Sequence, residues 1–385
     1  MADRTVVILG GGTGGLVAAR RLRRLLDPGD RVVLIDRSPT YRYAPSFLWV
    51  MTGARRPEQI TRDLRTLRRR GIEVVIADIR AIDTANRSVE TSSGAIDYDR
   101  LVISLGADLA PEALPGFADS AHNLYTIDGA VGARDALQRF SGGRVVVLVS
   151  RLPFKCPAAP YEAALLAEAV LRKRGLRDRS SVDVVTPEGL PMPTAGPVIG
   201  EALAAVLRDR DIGFHPGSTV ERVDAAEKSL VLADGGRVAY DVLIGVPPHA
   251  APEVARTAGL AAESGFIPVD RATLATSAAG LFAIGDVTVI PIAGGKMLPK
   301  AGVFAHAEAE VVSRRIAAEL RGADSHVHFD GHGACFVEMG DGVAAYASGD
   351  FYAEGAAGVQ MRKPGRRWHT LKVGFEQYWL RRWWL

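Results

Sequence analysis

The chain is poor in thiols. Its 385 residues hold two cysteines, Cys156 and Cys335, too few for a disulfide scaffold. It also lacks an excess of either charge: 47 Lys and Arg against 44 Asp and Glu leave a net charge of +3. The arginine-rich stretch 64–70 therefore reads as a solvated helix face and not as a nucleic-acid surface. Solenoid repeats and low-complexity tracts are missing as well. The first apolar strand starts at residue 5, leaving no room for a cleavable leader, so synthesis in the cytosol without export is expected. At 385 residues and 48% hydrophobic, the chain can form two or three domains.

The strongest signal lies at the start. A strand over 5–9 runs into Gly10-Gly11-Gly12-Thr13-Gly14-Gly15 and then into a helical pattern. Gly10, Gly12 and Gly15 fit G-x-G-x-x-G, in which the turn is tight, the backbone approaches a pyrophosphate and the helix N-terminus faces it. A second strand over 31–35 ends in Asp36, placed to accept hydrogen bonds from the ribose of an adenine dinucleotide.

Residues 98–107 and 280–287 resemble the two later signatures of the FAD-dependent pyridine nucleotide-disulfide oxidoreductase superfamily. The resemblance implies FAD as cofactor, with Gly106 in the first signature and Asp286 in the second, where the acid holds the ribityl chain. An Asp capping a turn after a buried strand is the plainer reading of Asp286.

A second glycine-rich loop is the most telling absence. A strand over 143–149 is followed by Ser150-Arg151-Leu152-Pro153-Phe154-Lys155-Cys156-Pro157-Ala158-Ala159-Pro160 and then by a helix over 161–171. Side chains and prolines stand where a pyrophosphate needs bare backbone, so the unit keeps a Rossmann-like fold without its nicotinamide ligand.

The segments 153–164, 299–304 and 333–342 resemble the sulfide:quinone oxidoreductases over nearly the full chain length. That resemblance implies oxidation of sulfide to polysulfide or sulfur, with a quinone (ubiquinone or menaquinone) as acceptor. It also implies a sulfur bridge between Cys156 and Cys335 that hydrosulfide opens, and Cys156 as the thiolate that adds to the flavin. A purely structural disulfide or two inert buried thiols are the bland readings. Many members carry a third cysteine near Thr126-Ile127-Asp128, which this chain lacks; the length of the sulfur product is thereby left open. Three rivals stand beside this reading: a type II NADH:quinone dehydrogenase, the flavoprotein subunit of a flavocytochrome sulfide dehydrogenase, and a non-catalytic, flavin-binding interaction protein.

Glu162, six positions past Cys156, either relays protons or simply favours the helix dipole. Lys300, by family position, lies near the pyrimidine end of the flavin, or else is a solvated lysine before a helix. His326, His328 and His332 complete no zinc pattern, so no metal is expected, and the first two are expected to alternate on a strand.

The expected fold is α/β: two Rossmann-like domains of the FAD/NAD(P)-binding type plus a C-terminal amphipathic membrane-binding segment. Residues 1–110 and 240–322 form a discontinuous FAD domain. Residues 111–239 form the second unit carrying Cys156, and 323–385 hold Cys335 and the tail. In that tail Leu371, Phe375, Trp379 and Trp383 recur every four residues in a basic context. The stripe suits a membrane interface, making the protein peripheral on the cell membrane, or else it docks on the protein's own core. Neither the membrane face nor the oligomeric state, a homo-oligomer included, is legible.

Overall fold

The computed structural model describes residues 4–353 and 358–384. Two five-stranded parallel sheets organise it. In the first, β1 (Thr5–Leu9) lies between β2 (Arg31–Asp36), followed outward by β3 (Glu73–Ile76), and β4 (Arg100–Ile103). In the second, β6 (Gly143–Val149) is flanked on one side by β7 (Ser180–Val185) and β8 (Ile212–His215). On its other side lie β9 (Val242–Val246) and then β5 (His122–Asn123). The chain returns to the first sheet with β10 (Leu281–Ala283) beside β4. Strands such as β1 and β6 are runs of Val, Ile and Leu because a parallel sheet is covered on both faces; Val6 to Leu9 and Val145 to Val149 are fully buried.

Both halves share one plan. Each inserts a three-stranded antiparallel sheet, over 79–97 in the first and 220–239 in the second, before its last central strand. The expected boundary at 239/240 is corrected by this topology. β9 pairs in parallel with β6 and belongs to the second sheet, since five buried apolar residues have their covering helices there; the crossing back comes after Val246.

Four helices matter for the site: α1 (Thr13–Leu25), α2 (Ala159–Lys173), α3 (Gly302–Leu320) and α4 (Arg366–Arg382). A third sheet of β11 (His332–Glu338), β12 (Ala344–Asp350) and β13 (Gln360–Gly365) is antiparallel. His326 and His328 precede it in a segment without regular structure, not on a strand, and only His332 starts β11. Stretch 64–70 is a short 3-10 helix that buries Leu64 and Leu67 and exposes its arginines, as a solvated face should.

The tail departs from expectation. A step of four residues turns a helix by about 400°, so positions four apart drift by about 40° each time. Leu371 and Phe375 are accordingly exposed, whereas Trp379 and Trp383 are 3% and 1% exposed. The two indoles join the core around Tyr41 and Tyr43, and Trp379 Nε1 donates to the Tyr41 hydroxyl at 2.7 Å. The inward face is Lys372, Glu376, Trp379, Leu380 and Trp383; the outward face shows Leu371, Phe375 and Tyr378. Truncation at Phe375 would therefore open the core. Replacing Trp379 with Ala should lower the unfolding free energy by about 3–5 kcal/mol, read from urea denaturation; a loss under about 1 kcal/mol would mean the helix is not docked.

Candidate functional site

Three glycines of the first turn do different work. A Cβ on Gly10 would lie 2.4 Å from the Ser104 carbonyl oxygen, and one on Gly15 would lie 1.8 Å from that of Gly10. Those two let strand and helix close on each other. A Cβ on Gly12 would meet nothing within 4 Å, so this glycine borders open space at the start of α1, where no side chain caps the helix amides. Such a cradle fits a pyrophosphate. Asp36 stands beside it: its Oδ2 accepts the Gly11 amide at 2.6 Å and its Oδ1 the Ser38 amide at 2.7 Å. Gly106, just past β4, has φ +72 and likewise faces open space.

Asp286 follows β10 and carries a carboxyl pushed up by burial, with Lys155 and Lys300 opposing. Lys300 Nζ donates to the carbonyls of Asp286 and Thr288 at 2.7 and 2.9 Å and lies 3.5 Å from the centroid of Phe266. It is therefore no solvated lysine; burial lowers its amine to about 8. Glu308 of α3, which accepts the Gly285 amide at 2.6 Å, is pushed up to about 7, chiefly by burial.

The segment after β6 is fixed from several sides. Cys156 donates its amide to the Lys300 carbonyl at 2.7 Å, Lys155 Nζ reaches the Ala107 carbonyl at 3.3 Å, and the Tyr125 hydroxyl donates to the Lys155 carbonyl. Cys156 itself is left-handed, with φ +52, a conformation costing a non-glycine residue roughly 1–2 kcal/mol. In an open parallel sheet ligands gather at the carboxyl ends of the central strands. Cys156 therefore occupies, in the second half, the position of the glycine turn in the first.

Cys335 comes from β11, where its Sγ donates to the Phe336 carbonyl at 3.3 Å. Both thiols are free and keep partial access to solvent, but protein surrounds them. Burial pushes Cys335 up to about 12, with Glu162 adding to the rise. Burial likewise raises Cys156 well above the usual thiol range, and Cys335 then Glu162 raise it further. Lys372 pulls both down.

Glu162, in the first turn of α2, is 2% exposed. Its Oε1 accepts the Glu338 amide at 2.7 Å and Lys372 Nζ at 2.9 Å. Glu338, on the strand of Cys335, lies 3.8 Å from Lys372 Nζ, and His369 Nδ1 stands 3.1 Å from its carboxylate. The helix after Cys156, the strand of Cys335 and the tail helix thus meet in one buried charge cluster. Glu162 is placed to position as much as to relay.

Sequence reading missed Lys372, Glu308 and Tyr125. Lys372 was hidden within a tail read as one aromatic stripe, although its spacing of four from Glu376 and seven from Trp379 would have placed it on the inward face. Glu308 and Tyr125 leave no mark in the sequence, because only the fold brings them to Asp286 and Cys156.

A nicotinamide dinucleotide has no matching cradle in the second half. Glu188, just past β7, is the acid nearest to the ribose position, but it is 3% exposed and accepts the Tyr161 hydroxyl. Burial pushes its carboxyl up to about 7. Among the described residues no group of three or more His, Cys, Asp or Glu is placed to hold a metal, and no helix is long and apolar enough to cross a membrane.

A profile of the pyridine nucleotide-disulphide oxidoreductases matches residues 4–309. The mitochondrial sulfide:quinone oxidoreductase of Mus musculus is 25% identical over 367 residues, covering 91% of this chain and 78% of its own. The sulfide-quinone reductase of Aquifex aeolicus is 27% identical over 395 residues, covering 97% and 90%. An X-ray structure of the sulfide:quinone oxidoreductase from Aquifex aeolicus superimposes with a TM-score of 0.89 at 24% identity, covering 98% of this chain and 91% of that one, a likeness of fold.

Because Gly12 faces open space, Gly12→Val should purify with little flavin absorbance, while its flavin-free form matches the flavin-free parent in stability within about 1 kcal/mol. Full flavin occupancy in that variant would remove the glycine turn from the cofactor site.

Proposed function

The chain belongs to the pyridine nucleotide-disulphide oxidoreductase family, a family of FAD-dependent flavoproteins, and from that premise we propose that it is a sulfide:quinone oxidoreductase. One observation carries the reading: Cys156 and Cys335, far apart in the chain, converge on the same buried cluster of Glu162, Glu338 and Lys372. Relatives named for sulfide and quinone, aligned over most of both chains, support it.

Gly10, Gly12, Gly15 and Asp36 would hold the adenine end of FAD, with Gly106, Asp286 and Lys300 toward its reactive end. FAD, when bound, supplies a two-electron acceptor. The protein's own part is sulfur chemistry. In the oxidised enzyme Cys156 and Cys335 are bridged; hydrosulfide attacks one sulfur, a new S–S bond forms, and the other cysteine leaves as a thiolate. Lys372 offsets the negative charge that burial would otherwise penalise, and Glu162 holds Lys372 in place. Closing the bridge again releases oxidised sulfur and one electron pair. The net reaction, HS⁻ + quinone + H⁺ → sulfur + quinol, balances in atoms and charge. No third cysteine stands at Thr126-Ile127-Asp128, so sulfur chains grow on Cys156 and Cys335 alone.

Electron donors of the NADH type are disfavoured by the segment 150–160 and by the capture of Glu188 by Tyr161. The acceptor is lipid-soluble, and the outward face of α4 suits a bilayer interface: Leu371, Phe375 and Tyr378 are 53%, 42% and 52% exposed, with Arg381 and Arg382 following. This face docks the protein peripherally.

Anaerobic addition of sulfide should bleach the flavin and decylubiquinone should restore it, while Cys156→Ser and Cys335→Ser each lose the bleaching. Bleaching by NADH but not by sulfide would replace this reading with the dehydrogenase one. For the membrane face, a Leu371→Ser, Phe375→Ser, Tyr378→Ser variant should sediment with lipid vesicles several-fold less than the parent and still bleach with sulfide. Equal sedimentation would place the docking surface elsewhere.

A further inference from the structure

At the carboxyl end of the second sheet, several loops close on one histidine. His249 follows β9 and is pinned in place: residues 108–109 pair antiparallel with 249–250, Leu109 lies opposite His249, and the Ala110 amide donates to the Pro248 carbonyl at 2.9 Å. The imidazole stands edge-on to Tyr125, which follows β5, with ring centroids 5.2 Å apart. That tyrosine meets the Cys156 loop, its hydroxyl donating to the Lys155 carbonyl and lying 3.4 Å from the Cys156 carbonyl. Lys155 Nζ lies 5.9 Å from the centroid of the same tyrosine ring and has one acceptor among the described residues, the Ala107 carbonyl at 3.3 Å. His249, Tyr125 and Lys155 therefore form one packed group on the loop of Cys156, where an open parallel sheet gathers its ligands.

The hydrogen bonds of His249 decide what it can offer. Its Nδ1 lies 2.9 Å from the Pro247 carbonyl. A carbonyl only accepts, so this nitrogen carries a hydrogen. Burial, and next the charge of Lys155, lower the imidazole to about 4. Near neutral pH the ring thus holds a single proton and Nε2 presents a bare lone pair. That Nε2 is buried and has no hydrogen-bond partner among the described residues. A buried acceptor without a donor is costly, so the position calls for one. The lysine beside it disfavours a cation and favours a small donor that also carries negative charge. Hydrosulfide has both properties: one S–H to give, and a charge that an ammonium group with donors to spare can offset.

We propose that His249 Nε2 and Lys155 Nζ hold hydrosulfide beside the Cys156 loop, His249 accepting its S–H and leaving the sulfur lone pairs free to attack. The subsite rests on the sulfide-oxidising reading and states how that substrate is recognised. No bond is made or broken at His249; the hydrogen stays on sulfur through the attack and remains on the persulfide that forms.

The test compares His249→Asn and His249→Gln in the flavin-loaded full chain, with sulfide and with sulfite, a nucleophile that opens disulfides but has no S–H. The asparagine amide reaches the Nδ1 position and keeps the bond to Pro247 while leaving nothing at Nε2; the glutamine amide oxygen restores an acceptor there. His249→Asn should lose roughly tenfold in kcat/KM for sulfide with decylubiquinone, mostly through KM, and His249→Gln should recover most of it. Opening of the bridge by sulfite, followed by mass as the S-sulfonate, should run at the parent's rate in both. Circular dichroism reports folding, and His249→Phe, which keeps a ring edge against Tyr125, takes the place of the asparagine variant if that one does not fold. An equal loss with sulfide and sulfite would make His249 a brace for the Cys156 loop and overturn the subsite. So would an asparagine variant that matches the parent, the result expected if Nε2 holds only a water. If the asparagine variant folds but purifies without flavin while the glutamine variant keeps it, Nε2 serves the cofactor and the substrate assignment falls. A parent that sulfide does not bleach overturns the sulfide-oxidising reading itself, and the subsite with it.

Discussion

The buried ion pair between Glu162 and Lys372 is the constraint on which the rest of the site depends. A charge taken out of water is tolerated only when paired and hydrogen-bonded. Here the pairing draws on distant parts of the chain: α2 after Cys156, β11 with Cys335, and the tail helix. Although burial alone would lower it, Lys372 is held above its ordinary range by Glu162 and Glu338. Removing one member strands the others, at a cost of about 3–5 kcal/mol, so the cluster both closes the tail onto the body and sets the charge seen by the two thiols. A second buried pair, Arg55 with Glu376 at 2.8 Å, repeats the arrangement one turn along α4.

The two halves of the molecule show what a shared architecture leaves free. Each presents the carboxyl end of a central strand to the middle of the protein. In the first half that end is a glycine turn with open space beside Gly12; in the second it is a rigid segment carrying Cys156 in a left-handed conformation. Topology fixes where reactive groups can stand, and the loop decides what they are. Holding Cys156 by its amide to the carbonyl of Lys300 joins the thiol loop directly to the strand-and-turn region that carries Asp286. One lysine therefore serves both halves, its carbonyl accepting the Cys156 amide and its amine donating to the carbonyl of Asp286.

How far the sequence could be read follows from the range of each interaction. The glycine turn, β1, α2 and the altered second loop were legible because backbone sterics and strand or helix periodicity are local. The boundary near 240 was misplaced since β9 is apolar enough for either sheet, and only pairing with β6 decides between them. The tail was half legible. Composition found an amphipathic basic helix, but the spacing of four was read as one stripe, when at 3.6 residues per turn it crosses from the outside to the core. Lys372 and Glu376, charged residues on the buried face, look like surface residues until Glu162 and Arg55 are placed against them.

That charged inward face bears on how the protein could couple membrane and chemistry. Leu371 faces out and Lys372, the next residue, faces in. A helix is stiff on this scale, so the position of Lys372 is set by the same packing that sets Leu371 and Phe375. Both thiols are raised by burial, and Lys372 is the cation common to both. Trp379 and Trp383, packed among Tyr41, Tyr43 and His306, hold the helix in that place. On the proposed reading, the helix that presents an apolar face to the bilayer is also the one that places the cation beside the two thiols.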